Sequence, residues 1–166
     1  MKRLLLPLVL GTLLFNGAAR AGDHLWARGL PDYSQGYDER RDPAKDLAAA
    51  TIRAQQEDKQ VLLLVGGEWC SWCQEMNRFL DREPELAQQF NRTFVVVKVN
   101  VSEQNKNESF LKDYPEYLGV PHFYVLDAKG RLLESFNTGL LEKGKSYDGE
   151  KLGKFIAYFQ PRTTHG

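Results

Sequence analysis

The sequence is poor in cysteine: among 166 residues only Cys70 and Cys73 carry a thiol, and they stand three positions apart. A bridge between them closes a loop of four residues, worth roughly 2 kcal/mol, whereas a loop of about 60 residues gives roughly 4 kcal/mol. A framework of long-range disulfides is therefore excluded. Structural zinc needs four ligands, so two cysteines and one candidate histidine, His122, also fall short of such a site.

Other signatures of binding and catalysis are missing as well. The formal net charge is zero and no run of basic residues occurs, so nucleic acid and anionic membranes are poor partners. A glycine-rich phosphate loop and paired carboxylates at a strand end are both absent, which leaves no second chemistry to argue for. The composition, 42% hydrophobic and 27% charged, is that of one globular domain.

No apolar run reaches the roughly 20 residues that a membrane-spanning helix needs. The longest, residues 4–15, follows Lys2 and Arg3 and precedes small residues that end at Ala21. This layout predicts a signal peptide over residues 1–21, and hence a periplasmic or secreted protein without stable membrane insertion. An uncleaved anchor is the alternative.

The rest of the chain divides into three parts. Residues 22–41 are polar, glycine-rich and without a period, which predicts an extended N-terminal arm pinned by its aromatic residues. A domain is predicted over residues 42–160 and a flexible tail over 161–166. The order of elements in the domain, α-β-α-β-α-β-β-α, predicts an α/β fold with a mixed central β-sheet flanked by helices on both faces. The predicted spans are helix 43–57, strand 61–65, helix 71–80 with a restart over 85–90, strand 94–99, a partly helical segment 105–117, strand 122–126, strand 131–136, a polar loop 137–147 and helix 148–159.

The two cysteines stand where a strand, a glycine turn and a helix meet, in the segment VLLLVGGEWCSWC. Cys70 opens the predicted helix, where unpaired N–H groups and the helix dipole favour a negatively charged sulfur. A thiolate is the attacking species in disulfide exchange. Cys73 lies one turn later on the same face, so it can displace a partner that Cys70 has captured. The short spacing therefore indicates a chemical role, in a compartment where thiols tend to pair.

These segments resemble the thioredoxin-fold family over roughly residues 43–160, and the stretch LDREPELAQQF resembles its exported subgroup. VLLLVGGEWCSWC matches the family's strand and WCxxC motif, VVVKVNV resembles its next central strand, and YLGVPHFYVLDAKGRLLESFNTG resembles its cis-proline segment and hairpin. The resemblance implies that Cys70 is the nucleophile and Cys73 the resolving thiol. It also implies that Trp69 shields the site and that Pro121 is a cis-proline facing the disulfide.

A cis-proline beside the thiols would leave the backbone of Val120 open to an extended substrate segment, which could add there as a strand. The candidate substrate-binding residues are therefore Trp69, Trp72, Val120 and Pro121. Trp72 has an equal alternative, which is to pack against the start of the helix.

The chain departs from the family's pattern beneath the cysteines. Thioredoxin has a buried aspartate six positions before its first cysteine; here that position is Leu64, while the lysine that partners the aspartate is matched by Lys98. The proton of Cys73 would then go to water, or to Glu68 or Glu75.

The residues between the cysteines, Ser71 and Trp72, carry no charge, which indicates a redox potential near the reducing end of the family. The sequence thus predicts an exported, monomeric thiol-disulfide oxidoreductase that acts on disulfide-containing proteins without a bound cofactor. The family implies that a reductant in an oxidising compartment takes electrons from a membrane-embedded thiol donor. An oxidant or isomerase role stays open.

Two functions of other classes are compatible with the same residues. Cys70, Cys73 and His122 could form a soft copper(I) site, which would make the protein a metallochaperone. Alternatively, the chain could be a non-catalytic binding module whose cysteines have no function.

Overall fold

The computed structural model describes residues 24–161, so the predicted signal peptide, residues 1–21, and residues 162–166 of the predicted tail lie outside it. The helices are α1 (Asp32–Gln35), α2 (Pro43–Glu57), α3 (Ser71–Arg82), α4 (Pro84–Thr93), α5 (Glu108–Leu111) and α6 (Gly149–Phe159). The strands are β1 (Gln60–Gly66), β2 (Phe94–Asn100), β3 (His122–Leu126), β4 (Leu132–Asn137), β5 (Glu142–Lys143) and β6 (Ser146–Tyr147). The helices and strands predicted within the domain are confirmed, with ends that differ by a few residues, except that in the partly helical segment 105–117 only Glu108–Leu111 is helical.

The four longer strands form one mixed sheet in the order β2-β1-β3-β4. Strand β1 runs parallel to β2 and antiparallel to β3, and β4 closes the sheet as the second strand of a hairpin with β3. The register aligns Leu64 of β1 with Lys98 of β2 on one side and with Phe123 of β3 on the other. The predicted mixed sheet is therefore confirmed.

Helices cover both faces of this sheet, as predicted. On the face called here the α2 face, α2 buries Ala50 and Ala54 against Leu63 and its alternate neighbours in the strands. On the opposite face, called here the cysteine face, α3, α4 and α6 cover Leu64, and both cysteines belong to this layer. Because side chains alternate along a strand, each strand residue belongs to one layer or the other. Within residues 24–161 no helix has both the length and the apolar character needed to cross a membrane.

Capping residues set the starts of the helices where the sequence indicates them. Asp42 precedes Pro43 and accepts the N–H of Ala44 at 3.0 Å, which satisfies an otherwise unpaired donor at the start of α2. Asp148 does the same for α6, with the N–H of Glu150 at 2.9 Å.

The segment before α2 differs from the expected extended arm. It forms a 3-10 turn over Leu25–Ala27 and the short helix α1, and it runs across the domain rather than away from it. Its aromatic residues Trp26, Tyr33 and Tyr37 are buried, and the hydroxyl of Ser34 donates to the carbonyl of Val96 at 2.6 Å. The aromatics pin the segment as expected: Trp26 and Tyr37 pack in the cysteine face and Tyr33 in the α2 face.

The polar loop expected over residues 137–147 also has structure of its own. A 3-10 turn, Thr138–Leu141, leads into a two-stranded ribbon made of β5 and β6. Leu141 and Tyr147 are buried in the cysteine face. Elements this short carry no periodic signal, so the sequence pattern could not indicate them.

Candidate functional site

Cys70 lies at the N-terminus of α3, where β1 delivers it through the turn formed by Gly67 and the following residues. Its N–H donates to the carbonyl of Gly67 at 3.1 Å, and its sulfur accepts the N–H of Cys73 at 3.1 Å. Cys70 is therefore the N-cap of α3, and its side chain occupies the place that a serine or aspartate oxygen takes in other helices. Backbone N–H groups aimed at a sulfur favour its negatively charged form.

The two cysteines form a disulfide, with their Cα atoms 5.2 Å apart. Both are buried, and Cys73 is 1% exposed against 4% for Cys70. Their side chains thus meet, as the spacing of one helical turn predicts. The same helix holds both sulfurs, so the pair can open and close without moving any distant part of the chain.

The Val120–Pro121 segment lies against the disulfide. The peptide bond between these residues is cis, as the resemblance implied, and the carbonyl oxygen of Val120 lies 3.6 Å from Cys70 Sγ. The hydroxyl of Thr138 donates to the carbonyl of Pro121, which ties this segment to the turn after β4. The hydrogen bond from Thr138 thus helps to hold the Val120–Pro121 backbone next to Cys70.

The two tryptophans of the motif have different surroundings. Trp69 is 66% exposed, and its indole N–H donates to the carbonyl of Val101 at 2.7 Å, which fixes the ring beside the disulfide. Trp72 is half-buried against Tyr147, with ring centroids 5.3 Å apart, and the hydroxyl of Tyr147 donates to its carbonyl. The ring thus packs against Tyr147 of β6, a contact that neither alternative for Trp72 specified, and a substrate contact stays a prediction.

An open groove of about 1080 Å³ extends from Trp69 along the segment 101–120. Its walls are mostly apolar, and they include Trp69, Leu111, Tyr117 and Val120. Leu118, at the rim, is 93% exposed. Neither cysteine lines the groove, but Val120 does, and its carbonyl oxygen lies 3.6 Å from Cys70 Sγ. The groove therefore offers apolar surface close to the disulfide.

The place of the family's aspartate is apolar, as Leu64 is buried in the same layer as the two cysteines. Its cross-strand neighbour Lys98 is 3% exposed and donates from Nζ to the carbonyl of Gln35 at 3.0 Å and to Oδ1 of Asn77 at 3.1 Å. The ammonium also lies 5.2 Å from the ring centroid of Trp26. Burial outweighs the attraction of nearby carboxylates and lowers the pKa of Lys98 to about 8.

Asn77 is a residue of this buried polar cluster that was not predicted from the sequence. Its Oδ1 accepts the hydrogen bond from Lys98. It also accepts the indole N–H of Trp26 at 3.3 Å. A signal was present: Cys73, Asn77 and Leu80 follow one another on the buried stripe of α3, and an amide on such a stripe requires a buried partner.

The two glutamates offered as proton acceptors for Cys73 are engaged elsewhere. Glu68 accepts the backbone N–H of Tyr37 at 3.0 Å and the side-chain amide of Gln74 at 2.6 Å. Glu75 forms ion pairs with Arg78 and Arg82. Partial burial raises the pKa of Glu75, but hydrogen bonds from Arg82, Ser146 and Arg78 outweigh it and leave that pKa below its usual value.

His122 lies on the other side of the sheet from the cysteines. It begins β3 and shares the α2 face with Tyr124, whose ring centroid is 4.7 Å from that of the imidazole, whereas the next residue, Phe123, shares the cysteine face. Its Nε2 lies 2.9 Å from the hydroxyl of Ser135, and burial lowers its pKa. The copper(I) ligand set of two cysteines and His122 is therefore not brought together. Among residues 24–161, no group of three or more His, Cys, Asp or Glu side chains is arranged to hold a metal ion.

Comparisons with known proteins agree with this geometry. Residues 42–128 match the family model described as thioredoxin-like. Over 78 residues, 47% of this chain, the sequence is 30% identical to the thiol:disulfide interchange protein DsbD of Salmonella paratyphi A, of which the match spans 14%. The fold is similar to that of a disulphide isomerase from Xylella fastidiosa Temecula1, with a TM-score of 0.63 and 24% identity over 80% of this chain and 98% of that one. It is also similar to the oxidised C-terminal domain of DsbD from Neisseria meningitidis, with a TM-score of 0.52 and 24% identity over 72% of this chain and 97% of that domain.

The lowered pKa of Lys98 predicts how stability depends on pH. Since the pKa is about 8 in the folded protein and near 10.5 when unfolded, the unfolded chain binds more protons between these values. The free energy of unfolding should therefore contain a contribution that rises from about pH 8 to about pH 10. Denaturant titrations over this range should show a smaller rise for Lys98→Met than for the wild type. The exposed Lys112→Met is the control and should keep the wild-type slope; equal slopes for all three proteins would contradict the assignment.

Proposed function

Because the chain belongs to the thioredoxin-like family and carries its CxxC pair at a helix N-terminus, we propose that it is an exported, monomeric thiol-disulfide oxidoreductase. It acts on disulfides of partner proteins through Cys70 and Cys73, works as a reductant and requires no bound cofactor. The observation that carries the proposal is the N-cap position of Cys70, whose sulfur accepts the N–H of Cys73.

The reaction has two displacement steps. In the reduced protein, the Cys70 thiolate attacks a sulfur of the partner's disulfide; one partner sulfur leaves as a thiolate and a mixed disulfide forms. Cys73, as a thiolate, then attacks Cys70 Sγ, so that the Cys70–Cys73 bond forms and the second partner sulfur leaves. The two leaving sulfurs take up the protons that the cysteines gave up. Two electrons pass from the cysteine pair to the partner.

The surroundings of the disulfide suit an extended segment of a folded or unfolded partner. The Val120 backbone, whose carbonyl oxygen lies 3.6 Å from Cys70 Sγ, is the edge along which such a segment adds. Trp69 and the apolar groove beside it accept side chains that flank the partner's cysteine. Main-chain contacts place few demands on the partner's sequence, so a range of proteins can be substrates.

The lack of charge between the cysteines supports a role as reductant. Ser71 and Trp72 provide no cation or imidazole between the cysteines to stabilise the thiolate, so reduced protein is a comparatively strong donor. Export by the predicted signal peptide would place it in an oxidising compartment. Its electrons would then come from a membrane-embedded thiol donor.

Trapping of mixed disulfides tests the exchange reaction. In Cys73→Ser the resolving thiol is absent, so reduced protein mixed with a cell extract should accumulate covalent adducts that a reductant releases, as seen by non-reducing electrophoresis. The matched variant Cys70→Ser keeps one cysteine in the same helix but lacks the N-cap sulfur and should trap little. Adducts absent from Cys73→Ser, or equally abundant in both variants, would refute the proposal.

The reduction potential tests the direction. Equilibration of the cysteine pair in glutathione buffers should give a value closer to about −270 mV, as in reducing members of the thioredoxin fold, than to about −120 mV, as in strong oxidants. The fraction of disulfide can be counted by thiol alkylation and mass spectrometry. A value near the oxidising end would assign the protein to disulfide formation instead.

A further inference from the structure

The hydroxyl of Tyr37 is a buried polar group that the two displacement steps do not use. The side chain is 6% exposed, and its oxygen has no hydrogen-bond partner among residues 24–161. Buried hydroxyls are almost always paired, because an unpaired one loses its bonds to water without replacement. The atoms around the Tyr37 oxygen indicate which group it could bind.

Tyr37 and the resolving cysteine meet over Gly66, the last residue of β1. A Cβ atom at Gly66 would lie 2.6 Å from Cys73 Sγ and 2.8 Å from the hydroxyl oxygen of Tyr37. Both atoms thus converge on the small space that glycine leaves empty. In the disulfide form the sulfur is bonded to Cys70, and no hydrogen bond joins it to the Tyr37 hydroxyl.

We propose that Tyr37 is a positioning residue for the resolving thiol, whose hydroxyl donates a hydrogen bond to the Cys73 thiolate once the disulfide is opened. The inference rests on the proposed function. The N-terminal segment then takes part in the second displacement. The hydroxyl of Tyr37 stabilises the Cys73 thiolate until that sulfur attacks Cys70 Sγ. The Cys70–Cys73 bond then forms, the bond from Cys70 to the partner breaks, and the partner's sulfur takes up the proton that Cys73 lost.

The hydroxyl acts as a donor and not as a base. Burial raises the pKa of Tyr37 well above its usual value, and the charge of Glu68 and the neighbouring Tyr147 raise it further, so the phenol keeps its proton. The Lys98 ammonium lies 5.3 Å from the centroid of the Tyr37 ring and favours negative charge at this place, while the carboxylate of Glu68 opposes it. This chain therefore has a neutral hydrogen-bond donor, the Tyr37 hydroxyl, in a region where the family has a carboxylate and this chain has Leu64.

Tyr37→Phe removes only the hydroxyl, and two successive thiol releases separate the steps it could affect. Reduced protein is mixed with 5,5′-dithiobis(2-nitrobenzoate) in a stopped-flow instrument. Attack by Cys70 releases one coloured thiolate and leaves a mixed disulfide; attack by Cys73 then releases the second. The matched control is Tyr33→Phe, the same change at a buried tyrosine of the same segment that packs on the α2 face.

In Tyr37→Phe we expect the first release to stay at the wild-type rate and the second to slow about tenfold at neutral pH, the size expected for one hydrogen bond to a charged group. The pH midpoint of the second release should rise by about one unit. Tyr33→Phe should leave both releases unchanged. An unchanged second release and midpoint in Tyr37→Phe would overturn the inference, as would equal slowing of both releases. Absence of the first release from the wild type would instead refute the proposed function.

A loss of fold would be seen separately. The hydroxyl is unpaired in the disulfide form, so Tyr37→Phe should not lower the melting temperature of the oxidised protein. A fluorinated tyrosine at position 37 provides a second test that keeps the ring and the hydroxyl. Fluorination makes the hydroxyl a stronger donor, so the midpoint of the second release should fall; a midpoint that stays or rises would overturn the inference.

Discussion

The hydrogen bond from the N–H of Cys73 to Cys70 Sγ is the interaction on which the rest of this site depends. It makes a sulfur atom the cap of α3, and thereby brings the positive end of the helix to the atom that carries negative charge in the proposed reaction. The glycines before it make this geometry accessible: a Cβ at Gly66 would collide with Cys73, and one at Gly67 with the indole of Trp69. Strand β1, the glycine turn and helix α3 therefore position Cys70 together.

Near the disulfide, uncharged polar groups surround the buried lysine in place of the family's carboxylate. The family's aspartate position is an apolar Leu64, while the facing lysine persists and is held by a carbonyl, an amide oxygen and two aromatic rings. A buried lysine without a carboxylate at hydrogen-bonding distance keeps its proton less firmly, which is why its pKa falls to about 8. The N-terminal segment supplies Trp26 and Tyr37 to this cluster, so it belongs to the site as well as to the fold.

The sequence allowed much of this to be predicted because the informative signals are local. The run of β1, the glycine turn, the spacing of Cys70 and Cys73 and the caps at Asp42 and Asp148 each lie within a few residues of one another. The position of Tyr37 could not be predicted, because its approach to Cys73 over Gly66 depends on turns in a segment without a period. The side of the sheet on which His122 lies was open to prediction: alternation along β3 places it with Tyr124 and opposite Phe123, which faces the cysteines.

The most direct test of the account is the pH dependence of alkylation at Cys70. In reduced Cys73→Ser a single thiol remains, and the backbone N–H at position 73 is kept. The rate of its reaction with iodoacetamide should follow a titration whose midpoint lies at least about one unit below the ordinary thiol value of about 8.5. A midpoint at or above that value would show that the helix N-terminus does not stabilise the Cys70 thiolate, and would contradict the account at its base.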